Sequence, residues 1–340
     1  MNGDDDLRLA FVGMHPRRRR ALVDRYGSAR AVLDRIKRGT EDVPDHARRA
    51  AEVPAAERRL QLGAAGVEVL VKGALPGHLA ELPDSPDVLF ARGKLPSQPG
   101  VAVVGSRKAS AYGLRLAERF GAALARAGWP VVSGLAKGID GAAHRGSVES
   151  GGVTAAVLGN GIDRWYPAAH RSLGISILES GGAVVSEYPP GTPPSGWRFP
   201  PRNRIISGLS AVTVVVEAAS RGGALITARA AVDHGREVLA VPGDVDRATS
   251  EGCNLLIRDG AIPVLGPDDL VEAVSLILGT PAKSGKEGSG EIERLIGPVG
   301  RPVDWIAEQT NLSITEILAE LARLETEGRV AWKGGMVVVC

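Results

Sequence analysis

Between Val101 and Gly243, short β-branched apolar runs alternate with Gly-rich turns and with helical stretches of small residues. Val101-Ala-Val-Val104 runs into Gly105-Ser106-Arg107, and Val131-Val-Ser133 into Gly134-Leu-Ala-Lys137-Gly138-Ile-Asp140. Val157-Leu158 leads to Gly159-Asn160-Gly161, with further runs at Ala183–Glu187, Val212–Glu217 and Val238–Pro242. Apolar runs without alternation, bounded by glycine and separated by helices, read as strands buried on both faces of a parallel sheet. This predicts an α/β, doubly wound (extended Rossmann-like) domain. In such a sheet, ligands collect beyond the carboxyl ends of the strands, where these turns lie.

The helices between the runs have recognisable ends. Ser110 caps the first, Leu116, Phe120, Ala123, Leu124 and Ala127 repeat on one face, and Gly128 with Pro130 stops it. Further helices are expected over Gly138–Ser150, His170–Glu179, Ala224–His234 and Pro267–Leu278. One more is expected from about Pro201, burying Ile205, Ile206 and Leu209.

The flanks differ. Residues 1–64 read as a small helical domain, with helices over Leu7–Val12 and Arg17–Tyr26 and a third ending at Lys37. Its run Arg17-Arg-Arg-Arg20 is read as a solvated helix face, the alternative being a helical hairpin that meets DNA phosphates. From Gly66 to Pro99, prolines punctuate short apolar pieces, a connecting segment laid on the sheet domain of 65–278. Residues 279–290 are rich in Gly, Ser, Pro and Lys and read as a flexible linker. A phosphate-binding P-loop is excluded there, because Thr280 stands where glycine is needed and Glu287 follows Lys286.

The tail, 291–340, reads as a winged helix: helices at Glu291–Ile296 and Pro302–Gln309, then a third from Ser313 with Glu316 as its capping box. That helix should bury Ile314, Ile317, Leu318, Leu321 and Leu324, and a β-ribbon turns at Gly334-Gly335. It carries Glu316, Glu320, Glu325 and Glu327 against Arg323 alone, so we read the tail as an accessory or protein-contact module, since phosphate attraction dominates duplex affinity.

Composition narrows the class. Over 340 residues the net charge is +2, too small by itself to announce a nucleic-acid partner. Two distant cysteines, Cys253 and Cys340, suit neither a disulfide framework nor a zinc site. The acidic start and the absence of a long apolar run lead us to expect a soluble protein of the cytoplasm, with no membrane partner.

The chemistry lies in the turns. A dinucleotide fold needs G-x-G-x-x-G after its first strand and an acid ending the second, and neither is present, so no cofactor is expected. Instead Gly105, Ser106, Arg107, Gly134, Lys137, Gly138, Gly159, Gly222 and Gly223 form anion receptors: glycine exposes backbone N–H groups, helix starts add a favourable dipole, and Arg107 and Lys137 add charge. The segment Ser195–Ser207 holds Arg198, Arg202 and Arg204 without an acid, interleaved with Trp197 and Phe199, in a chain only 4% aromatic. Cations with aromatic neighbours suit single-stranded nucleic acid, whose phosphates and unpaired bases need both. Arg204 should point away from the buried face of its helix. Arg202 and Asn203, in the first turn, sit at the positive end of the helix dipole, where a cation calls for an anion. No catalytic set or metal site is visible, and His144 and His234 have no evident partner, so a binder rather than an enzyme is expected.

These motifs resemble the DNA-processing protein A family, also called DprA or Smf. The resemblance lies in Gly105-Ser-Arg107, Ser133–His144, Leu158–Asp163 with Tyr166-Pro167, and Ser186–Pro194. It continues in Phe199–Ile206, Gly223–Ala228, Val241-Pro-Gly243 and Leu256-Ile257 with Gly260-Ala261, and spans about residues 65–265. It implies a cytoplasmic single-stranded DNA-binding protein that protects incoming DNA during natural transformation and loads the RecA recombinase. It also implies a homodimer through the late part of the sheet domain, near Leu255-Leu256-Ile257. The binding positions it implies are Ser106, Arg107, Lys137, Gly159, Phe199, Arg202, Asn203, Gly222, Gly223 and Thr227. Two motifs depart: Arg221-Gly-Gly-Ala224 stands where Ser-Gly-Ser is commoner, and Gly13-Met-His-Pro16 replaces a Gly-Val-Gly-type hairpin. The rival readings are a phosphoribohydrolase-like enzyme, whose turn would need an acid where Ala228 and Arg229 stand, and a sensor of small nucleotides.

Overall fold

The computed structural model describes residues 3–279, 295–296, 300–310, 314–326, 329–333 and 336–339. Contacts divide the chain into two units, Met1–Ala282 and Lys283–Cys340.

The first unit opens with five helices: α1 (Gly3–Ala10), α2 (Pro16–Tyr26), α3 (Ala29–Lys37), α4 (Asp45–Glu52) and α5 (Ala55–Ala64). The helix expected from Leu7 starts earlier, at Gly3, because Asp4, Asp5 and Asp6 occupy its first turn and favour the positive end of the helix dipole. Leu9, Val32, Leu33, Ile36 and Ala47 form a small core of their own. On its other side α1 sends Leu7 and Ala10 to pack with Val88 and Phe90 of the sheet.

The sheet and its helices follow in the order β1 (Glu68–Val71), α6 (Gly77–Ala80), β2 (Val88–Gly93), β3 (Gly100–Val104), α7 (Ala111–Arg126), β4 (Val131–Ser133) and α8 (Ile139–Glu149). Next come β5 (Thr154–Leu158), α9 (Arg171–Glu179), β6 (Ala183–Ser186), α10 (Phe199–Gly208) and β7 (Ser210–Val215). The unit closes with α11 (Gly223–Asp233), β8 (Glu237–Ala240), α12 (Glu251–Arg258), β9 (Ile262–Pro263) and α13 (Pro267–Leu278).

Nine strands form one sheet in the order β1-β2-β6-β5-β4-β3-β7-β8-β9. From β6 to β9 every pairing is parallel, as the buried apolar runs require. The connecting segment is not merely laid on the sheet, however: its Val88–Gly93 pairs antiparallel with β6, and Glu68–Val71 pairs antiparallel with that strand in turn. The chain therefore enters the parallel sheet at β3, winds outward through β4, β5 and β6, and returns to lay β7 on the other side of β3. The order reverses between β3 and β7, and a crevice opens beyond their carboxyl ends.

Alternate residues of β3 face two cores. Val101 and Val103 meet Phe120 and Leu124 of α7 and Ile139 of α8, while Ala102 and Val104 lie in the core that holds Ile205 and Ile206 of α10 and Ala228 of α11. Ser110 caps α7 as expected, its hydroxyl accepting from the Gly113 N–H at 3.0 Å. The Glu217 carboxylate, just past β7, accepts from the Ser110 N–H at 2.8 Å. That bond ties one wall of the crevice to the other.

In the second unit, helices span Val303–Gln309 and Ile314–Thr326, and strands Val330–Lys333 and Met336–Val339 pair antiparallel. Ile306, Ile317, Leu321, Leu324, Val330 and Val337 form its core. Ile314 and Leu318 are 52% and 44% exposed, against expectation. The buried stripe runs through Ile317, Leu321 and Leu324, and those two lie to its side. The expected linker beyond Gly279, most of the helix at 291–296, Ser313 and the Glu316 side chain of the capping box, and the turn at Gly334-Gly335 lie outside the described residues.

Candidate functional site

At the crevice between β3 and β7 lies a cleft of about 870 Å³. Three turns build it: Gly105–Lys108 after β3, Ala218 to Gly223 after β7, and the start of α10 from Phe199. Of the sequence-predicted residues, Gly105, Ser106, Arg107, Phe199, Arg202, Asn203, Gly222, Gly223 and Thr227 line it. Gly134, Lys137, Gly138, Gly159 and Arg204 do not, and their places explain what they do.

Two of these glycines make room. A Cβ on Gly159 would stand 2.6 Å from Cδ1 of Phe199, so the ring seats where any side chain would strike it. A Cβ on Gly134 would strike the guanidinium of Arg202 in the same way. Gly138 adopts φ +82 and packs against the Ser106 carbonyl, joining the turn after β4 to the turn after β3. Lys137 is exposed in that joined turn, beside Ala136 and Asp140 of the cleft lining. The Leu135 carbonyl there accepts from His170 Nδ1 at 3.0 Å.

Phe199 is half-buried and stacks on Tyr166, with centroids 5.3 Å apart and planes at 30°. Tyr166 is 43% exposed. The exposed guanidinium of Arg107 lies 5.0 Å from the Phe199 ring centroid. Two rings and a cation thus form a ledge in the cleft, of the kind a base and its phosphate need.

Facing the ledge, α11 begins at Gly223 with no side-chain cap and no acid in its first turn. Nothing comes within 4 Å of a Cβ built on Gly222 or Gly223, so this helix start is open to the cleft. Unpaired N–H groups at the positive end of an eleven-residue helix favour an anion. Asn203 and Thr227 brace the turn rather than reach outward: the Asn203 amide and the Thr227 hydroxyl both donate to the Gly223 carbonyl, at 3.0 and 3.3 Å.

Arg202 is only 3% exposed, and its Nη1 donates to the Val157 carbonyl. The anion that its place at the helix start calls for is internal, the carboxylate of Asp140, which accepts from the Gly134 N–H at 3.1 Å. Burial lowers Arg202 to about 10, with Asp140 opposing that shift. Burial raises Asp140 from its ordinary value, with Arg202 opposing.

Arg204 does point away from the buried face of α10, but it is not solvated: Nη2 bonds both oxygens of Glu187, at 2.9 and 3.0 Å. The histidines also have partners. His144 is buried, its Nδ1 2.7 Å from the Thr154 hydroxyl, and burial drives it down to about 3. His234 meets Asp84 at 2.8 Å and the Ser207 hydroxyl at 3.1 Å. That relay resembles a nucleophile triad, yet Ser207 is fully buried within α10 and cannot reach a substrate. Among the described residues no group of His, Cys, Asp and Glu could hold a metal ion, and no helix is long and apolar enough to cross a membrane. Sequence reasoning had not singled out Lys108 and Tyr166 as site residues, or Asp140 as Arg202's partner. An acid two positions past a glycine that opens a helix was the available sign of Asp140.

Residues 69–275 match the family model described as DNA recombination-mediator protein A, and residues 280–336 match the DprA winged helix domain. Protein Smf of Escherichia coli K12 is 42% identical over 270 residues, 75% of this chain and 72% of that protein. The DNA processing protein DprA of Streptococcus pneumoniae R6 is 43% identical over 198 residues, 58% of this chain and 70% of that one. The X-ray structure of DNA processing protein A from Streptococcus pneumoniae superposes with a TM-score of 0.64 at 35% identity, covering 78% of this chain and 95% of that one. The structure of DNA processing protein A from Helicobacter pylori gives a TM-score of 0.55 at 24% identity, covering 61% and 95%, and that protein is described for its unique single-stranded DNA binding mode.

Proposed function

Given that the chain belongs to the DNA recombination-mediator protein A family and has a DNA-processing role in recombination, we propose that it binds single-stranded DNA in the cleft between β3 and β7. One observation supports this above the others: the Tyr166–Phe199 ledge, with Arg107 over it, faces the uncapped start of α11 across a single cleft. A base and its flanking phosphate have different requirements, and this arrangement meets both. The ring that Arg107 covers is the ring a base takes, and the displaced guanidinium is then free for the phosphate. Gly134 and Gly159 serve by seating Arg202 and Phe199, not by touching DNA.

In this reading the protein acts in the cytoplasm as a binder without catalysis, protects incoming single strands during natural transformation, and passes them to RecA. Faster RecA filament growth on single-stranded DNA in its presence is the expected result, and an unchanged rate would remove the loading step. Release of free base from nucleoside monophosphates would instead favour an enzyme. Tight calorimetric binding of a nucleotide with none of oligo-dT would favour a sensor.

Arg107→Ala should weaken binding of oligo-dT and lower the slope of log K against log salt by roughly 0.7, the share of one phosphate on a single strand. Arg107 is exposed, so the melting temperature should not move. Unchanged affinity in the folded variant would take Arg107 off the DNA path.

The homodimer belongs to the same proposal. Leu255, Leu256 and Ile257 are half-buried on α12, with Leu256 and Ile257 packed against the sheet core. Sedimentation of Ile257→Asp should show a folded monomer. A persisting dimer would move the interface elsewhere.

A further inference from the structure

The run Arg17–Arg20 on α2 is not one solvated face. Arg19 is buried, its Nη2 donating to Glu187 at 2.7 Å and its Nε to Asp87 at 3.2 Å. Arg18 turns the other way, to the Glu41 carboxylate and the Asp42 carbonyl, both at 2.9 Å. These bonds fix α2 beside the end of β6 and leave Arg17 and Arg20 on the wall of a groove of about 580 Å³. The opposite wall is α11, through Leu225, Ile226 and Arg229.

The acids of this groove are already answered. Glu187 is held by Arg19 and Arg204, Asp84 by His234 and Arg204, Asp87 by Arg19, and Asp233 by Arg229. Arg17 and Arg221 have no ion-pair partner among the described residues, and Arg20 only touches Asp24 at 4.0 Å. Between these cations lie Pro16, Pro83, Pro200, Pro201 and Ile226, the last 43% exposed. A small anion has no use for such a lining, whereas a polyanion with flat apolar faces has. Pro200, Arg221, Gly222 and Ile226 line both this groove and the cleft between β3 and β7, so the two are continuous.

We propose that single-stranded DNA leaving the cleft continues into this groove, its phosphates meeting Arg17, Arg20 and Arg221 and its bases resting on Ile226 and the prolines. The proposal rests on the reading that the cleft itself binds single-stranded DNA. It turns the helical front of the chain from a solvated appendage into the second half of the binding path.

A length series of oligo-dT separates the two. Affinities are measured from about 4 to about 16 nucleotides, the span of site sizes usual for single-strand binding modules. The wild-type chain is compared with Arg17→Ala/Arg20→Ala and with Arg17→Ala alone. The double variant should match wild type on the shortest strands. On the longest it should bind about tenfold more weakly, with a salt slope lower by roughly 0.7 for each lost phosphate contact. Arg17→Ala alone, at an exposed position without an ion-pair partner among the described residues, should show a smaller loss confined to the same long strands, and it decides the matter if the double variant does not fold. Wild-type affinity at every length, or a loss equal at every length, overturns the extension. A wild-type chain that binds no oligo-dT at all overturns the cleft reading and this one together.

Discussion

Arg202→Ala should lower the stability of the first unit by about 1–3 kcal/mol, the usual cost of leaving a buried polar group without its partner, and should leave the salt dependence of DNA binding unchanged. The reason is what remains behind. Asp140 loses the cation that offsets its burial, the Val157 carbonyl loses its donor, and Gly134 leaves a void where the guanidinium lay. Adding Asp140→Asn should recover part of the loss, because a neutral side chain no longer needs a counter-charge. Urea unfolding measures the first quantity, and binding across a salt series, well below the unfolding temperature, the second. A folded Arg202→Ala of wild-type stability whose salt slope falls by roughly 0.7 would show that Arg202 meets a phosphate instead.

Phe199→Ala should have the largest effect on binding, about 1–3 kcal/mol at any salt concentration, or roughly fivefold to more than a hundredfold in Kd. Phe199→Tyr should keep most of the affinity, since a second ring still stacks on Tyr166. The competing role for Phe199 is a lid over Gly159. A lid would lose melting temperature on truncation but leave the folded protein's affinity intact. Measuring both quantities on both variants distinguishes them, and a destabilised Phe199→Ala with wild-type affinity would remove the ring from the DNA path.

What the sequence disclosed and what it hid follow from the range of the interactions. The parallel strands from β3 to β8 were legible because burial on both faces makes a run apolar whatever its neighbours are. The start of α7 was legible because its cap is local: Ser110 bonds the N–H of Gly113. The strands β1 and β2 were not, because prolines punctuate their segment and the pairing of β2 depends on β6, far along the chain. The residues of the cleft were recognised as a set, since the fold brings strand ends together. Their division of labour was not. Whether Arg202 faces solvent or the interior depends on Asp140 and on a missing side chain at Gly134, and whether Arg204 is free depends on Glu187. Nothing within a few residues of either arginine records that. The run Arg17–Arg20 looks uniform as text, yet its four members meet three different environments once α2 is fixed.

At one end of the sheet, β9 is only two residues long, and the second, Pro263, has no N–H to give. A strand that offers so little ladder cannot recruit another chain by extending the sheet, the route by which open edges polymerise. Any self-association at this end of the molecule would therefore rest on contacts between side chains and not on strand addition.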